Sequence, residues 1–374
     1  MGHFADRLGG QYSVIAACLS AGLCHLAFGL LDHAQCLSKA TVLFGYGVIQ
    51  VSRALSIVAV TKSCAAWYER DEHGTFAGVF TAIVFGGEWV LETPMQAAFE
   101  CVGQRWFFYA ASAVFMALAG ATGLGLLSEP RQGVHAPLWG ATTASIGVNG
   151  LGEVVRLRMI WGFTTAMVCL SMVQHGFFAH IAAYLAESKV IPIDPDKLCG
   201  AWRMGSCIGG VVCGVASDTF FRAHRGPTLV VLSFVQATLL YLVYVVGPSH
   251  DVQGLVVAVA AVLQGNISVA GLAVPLDLPV EIAASATGVL VAARYLGEGA
   301  AVAIVDTVVH HWGYQVWMAT LLFVSIATGF CVLCTYLAVL RPRSRPIPEL
   351  IPLYRIKREH PDVAMVYVAR RVSL

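Results

Sequence analysis

The sequence predicts an all-α polytopic membrane protein, on three observations. Of its 374 residues, 57% are hydrophobic and only 12% charged, with a mean hydropathy of +0.72. Soluble domains carry about 25% charged residues, so water is the wrong solvent for this surface. The stretches 13–31, 228–246 and 317–340 are each free of Asp, Glu, Lys and Arg, and about 20 such residues cross a bilayer core as a helix. Further apolar tracts recur between short polar connections along the whole chain.

Ten helices follow from these tracts. The first, 12–31, is the uncharged run after the polar opening Met1-Gly-His-Phe-Ala-Asp-Arg, which does not read as a cleavable signal. Helix 40–66 begins after Lys39 and stops at the charged loop Trp67–Gly74. Helix 75–99 follows that loop and contains Pro94 near its end. Helix 107–127 starts at the aromatic pair Trp106-Phe107. The longest gap, 128–157, is polar and Gly-rich and reads as a cytoplasmic linker between halves. Beyond it lie 158–183, 197–215, 228–246, 254–276, 283–308 and 314–340. The expected domains are thus an N-terminal bundle (1–127), the linker (128–157), a C-terminal bundle (158–340) and a basic tail (341–374).

Charge sets the expected orientation. Ten spans put both termini on one side. With the termini cytoplasmic, the inside loops and tail hold fifteen basic residues, among them Arg7, Arg70, Arg131, Arg156, Arg158, Arg222 and Arg225, against four outside, namely Lys39, Arg105, Lys189 and Lys197. This excess follows the positive-inside rule. The reading places the chain in the plasma membrane ahead of an organelle. A net charge of +1 gives no reason to expect a nucleic-acid partner.

The chain also repeats itself at an offset of about 210 residues. Gly2-His-Phe-Ala-Asp6 matches Gly214-Val-Ala-Ser-Asp218, Gly78-Val matches Gly288-Val, and Gly87-Glu88 matches Gly297-Glu298. Repeated halves around a central loop are the build of many transporters. Two helices precede Gly214 in the second half and none precedes Gly2. Two halves of six helices, with the first two outside this sequence, account for ten spans; a true ten-helix protein is the alternative. The first reading expects roughly 60 residues forming two apolar helices upstream.

At these residues the sequence resembles the major facilitator superfamily. That family's signature, G-x-x-x-D-R-x-G-R/K, stands here as Gly2-His-Phe-Ala-Asp6-Arg7-Leu-Gly9, and degenerately as Gly214-x-x-x-Asp218 ahead of Arg222 and Arg225. The resemblance implies twelve helices in two pseudo-symmetric bundles. Gly2, Asp6, Arg7, Gly214, Asp218 and Arg222 are its gating motif. From Gly2 to about Leu340 the chain is similar to the organophosphate–phosphate antiporters, the glycerol-3-phosphate and hexose-phosphate carriers. Trp67–Gly74, Gly86-Gly87, Tyr184-Leu185, the run Cys213–Gly226, Gly288, Tyr295-Leu-Gly297 and Gly313-Tyr314 carry that similarity. This family grips phosphate with an arginine on its first helix and another on its seventh, whose planar fork meets phosphate oxygens. Here the seventh-helix position is Gln174, beside His175; Ala273 stands for a tenth-helix histidine, and Leu55-Ser56-Ile57 for a Gly-Trp-Pro run. The departures imply weak or absent glycerol-3-phosphate exchange, with improvement on Gln174→Arg.

Ionisable side chains inside spans cost at least about 2.5–3.5 kcal/mol on insertion scales and mark cavities or partners. Arg53, Glu88, Arg294 and Glu298 fall near mid-span. Arg294 and Glu298 are four apart and share a helix face; Arg53 and Glu88 sit on consecutive helices. Two cations and two anions at one depth suit a zwitterionic or carboxylated solute, or a proton relay; the alternative is two structural pairs that lock the halves. Arg53 and Arg294 are therefore substrate-binding candidates, joined by Gln174 and His175, which the resemblance places at the cavity; Glu88, Glu92 and Glu298 are the coupling candidates. Lys62, near a cytoplasmic helix end, reads as snorkelling. Arg203 reads as a gate, and His310-His311 as interfacial.

The leading function is alternating-access transport of a small anionic or zwitterionic solute, with phosphate or protons as the coupling ion and membrane lipid as the surrounding partner. A non-transporting solute sensor on the same fold is the alternative. No nucleophile–base pair or metal cluster stands at a helix end, so neither an enzyme nor a cofactor is expected. Cys331 and Cys334 have C-x-x-C spacing without further ligands. The sequon Asn266-Ile-Ser268 lies within a span and is expected to stay unmodified.

Overall fold

In the computed structural model the described residues are 1–65, 67–126, 150–187, 195–246 and 252–340. Long helices dominate them. In chain order they are α1 (Gly2–Leu8), α2 (Gly10–His33), α3 (Lys39–Cys64), α4 (His73–Val102), α5 (Gln104–Ala121), α6 (Gly150–Arg156), α7 (Arg158–Glu187), α8 (Pro195–Thr219), α9 (Arg225–Val246), α10 (Val252–Ser268), α11 (Val274–Leu276), α12 (Val280–Ala300) and α13 (Asp306–Leu340). Among the described residues, eight stretches are long and apolar enough to span a membrane, the last of them running from Val280 to Val339. Gly313, at φ +76°, breaks that last stretch into two helices. With α4, 30 residues long, this matches the ten tracts read from the sequence. The chain is an integral multi-pass membrane protein.

Two differences from the sequence reading stand out. The linker expected over 128–157 is helical at its end: α6 occupies Gly150–Arg156 and packs against α12 and α7. The rest of that linker and the tail 341–374 lie outside the described residues. The helix expected over 254–276 is not uniform either, because Val269–Ala273 forms a wide, π-type turn between α10 and α11. A similar turn at Ala301–Val305 joins α12 to α13. Such turns inside helices concentrate at functional sites.

Packing follows glycine spacing. Between lipid-facing helices no hydrophobic force drives association, so small residues that let backbones approach carry the interface. On α4, Gly74 and Gly78 face Gly214 and Gly210 of α8, so close that any Cβ there would strike the opposite backbone. On another face of α8, Gly205 and Gly209 meet the Val257 and Ala261 carbonyls of α10 in the same way. The helix α2 packs on both α3 and α5, while the larger group is joined through the α8–α10, α9–α10, α9–α13, α7–α12 and α7–α13 contacts. Between the groups run the α4–α8, α1–α12 and α3–α12 contacts. Within the larger group, Trp317, Phe177, Leu240 and Leu263 are fully buried. Gly209→Val is expected to wedge α8 from α10. Overpacking costs about 1–3 kcal/mol, which should appear as a melting temperature several degrees lower in detergent.

Candidate functional site

The two copies of the G-x-x-x-D motif tie the groups together crosswise. In the first copy, Gly2 presses its backbone on Ala284 and Ser285 of α12. Asp6 accepts from the Ser285 backbone N–H at 2.9 Å and from its hydroxyl at 2.5 Å. Lys62, at the end of α3, donates to Asp6 at 3.2 Å and also to the Val280 carbonyl. Lys62 is therefore a tether between α1, α3 and α12, not a side chain reaching to the interface.

In the second copy, Gly214 presses on Gly74, and Asp218 receives the first turn of α4. The Gly74 and Thr75 N–H groups donate to its carboxylate at 3.1 and 2.5 Å, and the Thr75 hydroxyl at 2.8 Å. A carboxylate there meets the unsatisfied N–H groups and positive dipole end of a helix. Thr75 and Ser285 are 210 residues apart, and Asp6 and Asp218 212 apart. Each aspartate thus grips a matching position of the repeat in the other half, Asp218 the first turn of α4 and Asp6 the second turn of α12.

The cation of the second lock is Arg225. It reaches Asp218 at 2.5 Å, Ser217 at 2.8 Å, the Arg70 carbonyl at 2.9 Å and Asp277 at 3.1 Å. Arg222, the residue the motif points to, is exposed at φ +48° in the turn before α9. That turn directs it to solvent and leaves the start of α9 to present Arg225. Arg7 is exposed as well. Sequence reasoning missed Asp277 and His73, which join this lock; the available signal was an Asp-Leu-Pro break and a histidine heading a helix.

A cavity of 490 Å³ lies deeper between the groups, lined by Tyr46, Gln50, Val51 and Ala54 of α3, His175 of α7, Tyr295, Glu298 and Gly299 of α12, Val302 and Met1. Along α3 and α12 its walls begin some 8–10 residues from the lock residues Lys62 and Ser285, roughly 12–15 Å at 1.5 Å per residue. Tyr46, Gln50 and Ala54 share one face of α3 at four-residue spacing, and Gln50 donates to the Tyr46 hydroxyl at 2.5 Å. Polar residues at that spacing in an apolar span were the signal, and it went unused. The wide turn at Ala301–Val305 adjoins Gly299 and shapes this wall.

The sequence-expected charges take different places. Glu298 lines the cavity and accepts from Arg294 at 2.9 Å, with each side chain about a quarter exposed. Arg53, beside the wall residue Ala54, meets Glu88 at 3.1 Å, each about half exposed. His175 faces the cavity, but its neighbour Gln174 does not. Successive helical residues point about 100° apart, so Gln174 turns to α10, where it donates to Gln264 at 2.7 Å and is buried. Gln174 is thus a packing amide between α7 and α10. Gln174→Arg, expected from the sequence to improve phosphate-ester binding, would instead bury a guanidinium there. That costs about 2.5–3.5 kcal/mol on insertion scales and should lower the yield of monodisperse protein on gel filtration. The Glu92 side chain lies outside the described residues. His310 and His311 are exposed at a helix end, and Asn266 of the sequon is fully buried, donating to Ser233 at 3.1 Å. Among the described residues no three His, Cys, Asp or Glu side chains stand close enough to hold a metal.

No family model and no curated protein matches the sequence. Solved structures do match in shape. A variant of the E. coli fucose:proton symporter FucP superposes over 90% of this chain and 84% of its own, with TM-score 0.62 and 14% identity. The human organic anion transporter MFSD10 (TETRAN) matches over 88% and 79%, with TM-score 0.66 and 13% identity. A bacterial homologue of the iron transporter ferroportin, in an outward-facing state, matches over 90% and 87%, with TM-score 0.58 and 14% identity. The chain has the major facilitator fold. At such identities the likeness is one of fold. In a major facilitator fold the crosswise locks join the two bundles at one end, and the cavity between α3, α7 and α12 lies beyond them.

Proposed function

We propose that this protein carries a small anionic or zwitterionic solute across a membrane by alternating access. The carrying observation is the position of the cavity: it lies between the two bundles, behind a pair of locks that close one end. Its wall offers an acceptor (Glu298), an imidazole (His175), and the hydroxyls and amide of Tyr46, Tyr295 and Gln50. A solute carrying an ammonium or a carboxylate finds a counterpart in that set, with the Arg294–Glu298 pair able to open toward either charge. The solved structures of similar fold are described as a fucose:proton symporter, an organic anion transporter and a homologue of an iron transporter, which supports transport as the activity. Phosphate esters are the poorest fit, because Glu88 and Glu298 already hold the two mid-span arginines.

Sealed proteoliposomes test this directly. Uptake of radiolabelled amino acids, dicarboxylates and glycerol-3-phosphate would be compared with that of empty vesicles. Saturable uptake of an amino acid or carboxylate, exceeding that of glycerol-3-phosphate, is expected. Tight glycerol-3-phosphate exchange unaffected by Arg53→Ala and Arg294→Ala would refute this account of the site.

A further inference from the structure

We propose that His73 is a proton-binding site that links closure of the lock at Asp218 to the uptake of one proton. The ring stands at the start of α4, about 5% exposed. Its Nδ1 lies 3.0 Å from an Asp277 carboxylate oxygen, and its Nε2 lies 3.2 Å from the Tyr68 carbonyl oxygen. Both of those oxygens only accept. A neutral imidazole has one N–H donor and one lone pair, whereas the imidazolium has two donors. The closed geometry is therefore fully satisfied by the imidazolium alone; a neutral ring leaves its lone pair facing an oxygen in a buried site, which is costly.

Charge balance leads to the same assignment. His73 meets Asp277 after α11 directly; Arg225 of α9 bonds Asp277 and Asp218 of α8, Arg70 of the preceding loop stands by Asp277, and Glu69, Asp71 and Glu72 of that loop are exposed. Asp218, Asp277 and Arg225 are at most 12% exposed at their side chains. Two buried carboxylates against one buried guanidinium leave a net charge of −1, and a protonated His73 brings it to zero. Arg70 does not replace it: it is 71% exposed and 3.8 Å from Asp277, a position where solvent screens most of its effect. The other lock is different in kind, since Asp6 is held there by Lys62 and Ser285, with no imidazole among them.

When the bundles part at this end, His73 loses Asp277, the acceptor that its Nδ1 meets in the closed geometry. Imidazoles change charge between about pH 5 and 8. Closure is thus favoured below this range and weakened as pH rises through it, with the proton leaving on opening. The inference rests on the alternating-access reading, but its test needs no solute. The readout is hydrogen exchange at the Gly74 and Thr75 amides, the two that donate to Asp218, corrected for intrinsic exchange at each pH. Protection in the full-length protein should fall about tenfold between pH 5.5 and pH 8. His73→Arg keeps a permanent charge and several donors, so it should hold protection level across that range. His224→Asn, in the exposed α8–α9 turn, should leave the wild-type pH dependence intact. Wild-type protection that is level with pH, or a His73→Arg variant that keeps the tenfold fall, would overturn the assignment. A failure of solute flux with the pH-dependent exchange intact would count against the transport reading alone.

Discussion

Asp218→Asn is expected to release the closed end. Asparagine keeps the shape but loses the charge that α4's first turn and Arg225 both use. Removing one partner of a buried pair costs about 3–5 kcal/mol when the other charge is left unpaired; Arg225 keeps Asp277 at 3.1 Å, so that range is the ceiling here. Arg225 and Asp218 are each 4% exposed at their side chains, so little of that is recovered from solvent. At 1.4 kcal/mol per factor of ten, the balance between closed and open moves toward open by at most roughly a hundredfold to a few thousandfold. Hydrogen exchange at Gly74 and Thr75 should rise accordingly. Asp218→Leu combined with Arg225→Met takes the guanidinium from Asp277 as well, leaving that carboxylate to His73 at 3.0 Å, so it should open the end at least as far as Asp218→Asn. Equal exchange in wild type and Asp218→Asn would show that this carboxylate does not hold the end closed.

The second large effect is expected at the cavity wall. Arg294→Ala leaves Glu298 unpaired at mid-span, and Glu298→Ala does the same to Arg294. The pair is about a quarter exposed, so the penalty lies below that of a fully buried pair. A coupling energy of about 0.5–3 kcal/mol is typical of residues in contact. The double variant Arg294→Ala/Glu298→Ala should therefore fold better than either single variant, judged by thermal unfolding in detergent. It should nevertheless fail to transport, because the wall has lost its only carboxylate among the described lining residues. Strict additivity in stability would mean that the two side chains do not act as a pair. Retained uptake in the double variant would remove Glu298 from the solute path.

Helix number and class were legible because apolar length is a one-dimensional property, and the structure reproduces the ten tracts within a few residues at most ends. The motif repeat was legible too, since Gly-x-x-x-Asp states both a close approach and a helix cap. What remained hidden was direction around each helix. Gln174 and His175 are adjacent in sequence and face different neighbours, α10 and the cavity. A resemblance that marks a position cannot decide between them. Arg222 and Arg225 differ by three residues, and the left-handed φ at Arg222 and Ala223 decides which one reaches Asp218. Lys62 read as a solvent-seeking side chain because its partner Asp6 lies 56 residues away. The polar pair Tyr46 and Gln50 was overlooked since it carries no charge, yet with Val51 and Ala54 it supplies one cavity wall.

The most direct test of the account is the distance across the locked end. Spin labels on unnatural amino acids at Glu69, before α4, and at Phe220, after α8, would sit on exposed positions on either side of the Asp218 lock. In reconstituted membranes the account predicts two distance populations, a short one for the closed lock and a longer one that grows in Asp218→Asn. A single short distance, the same in wild type and in Asp218→Asn, would contradict alternating access through this cavity.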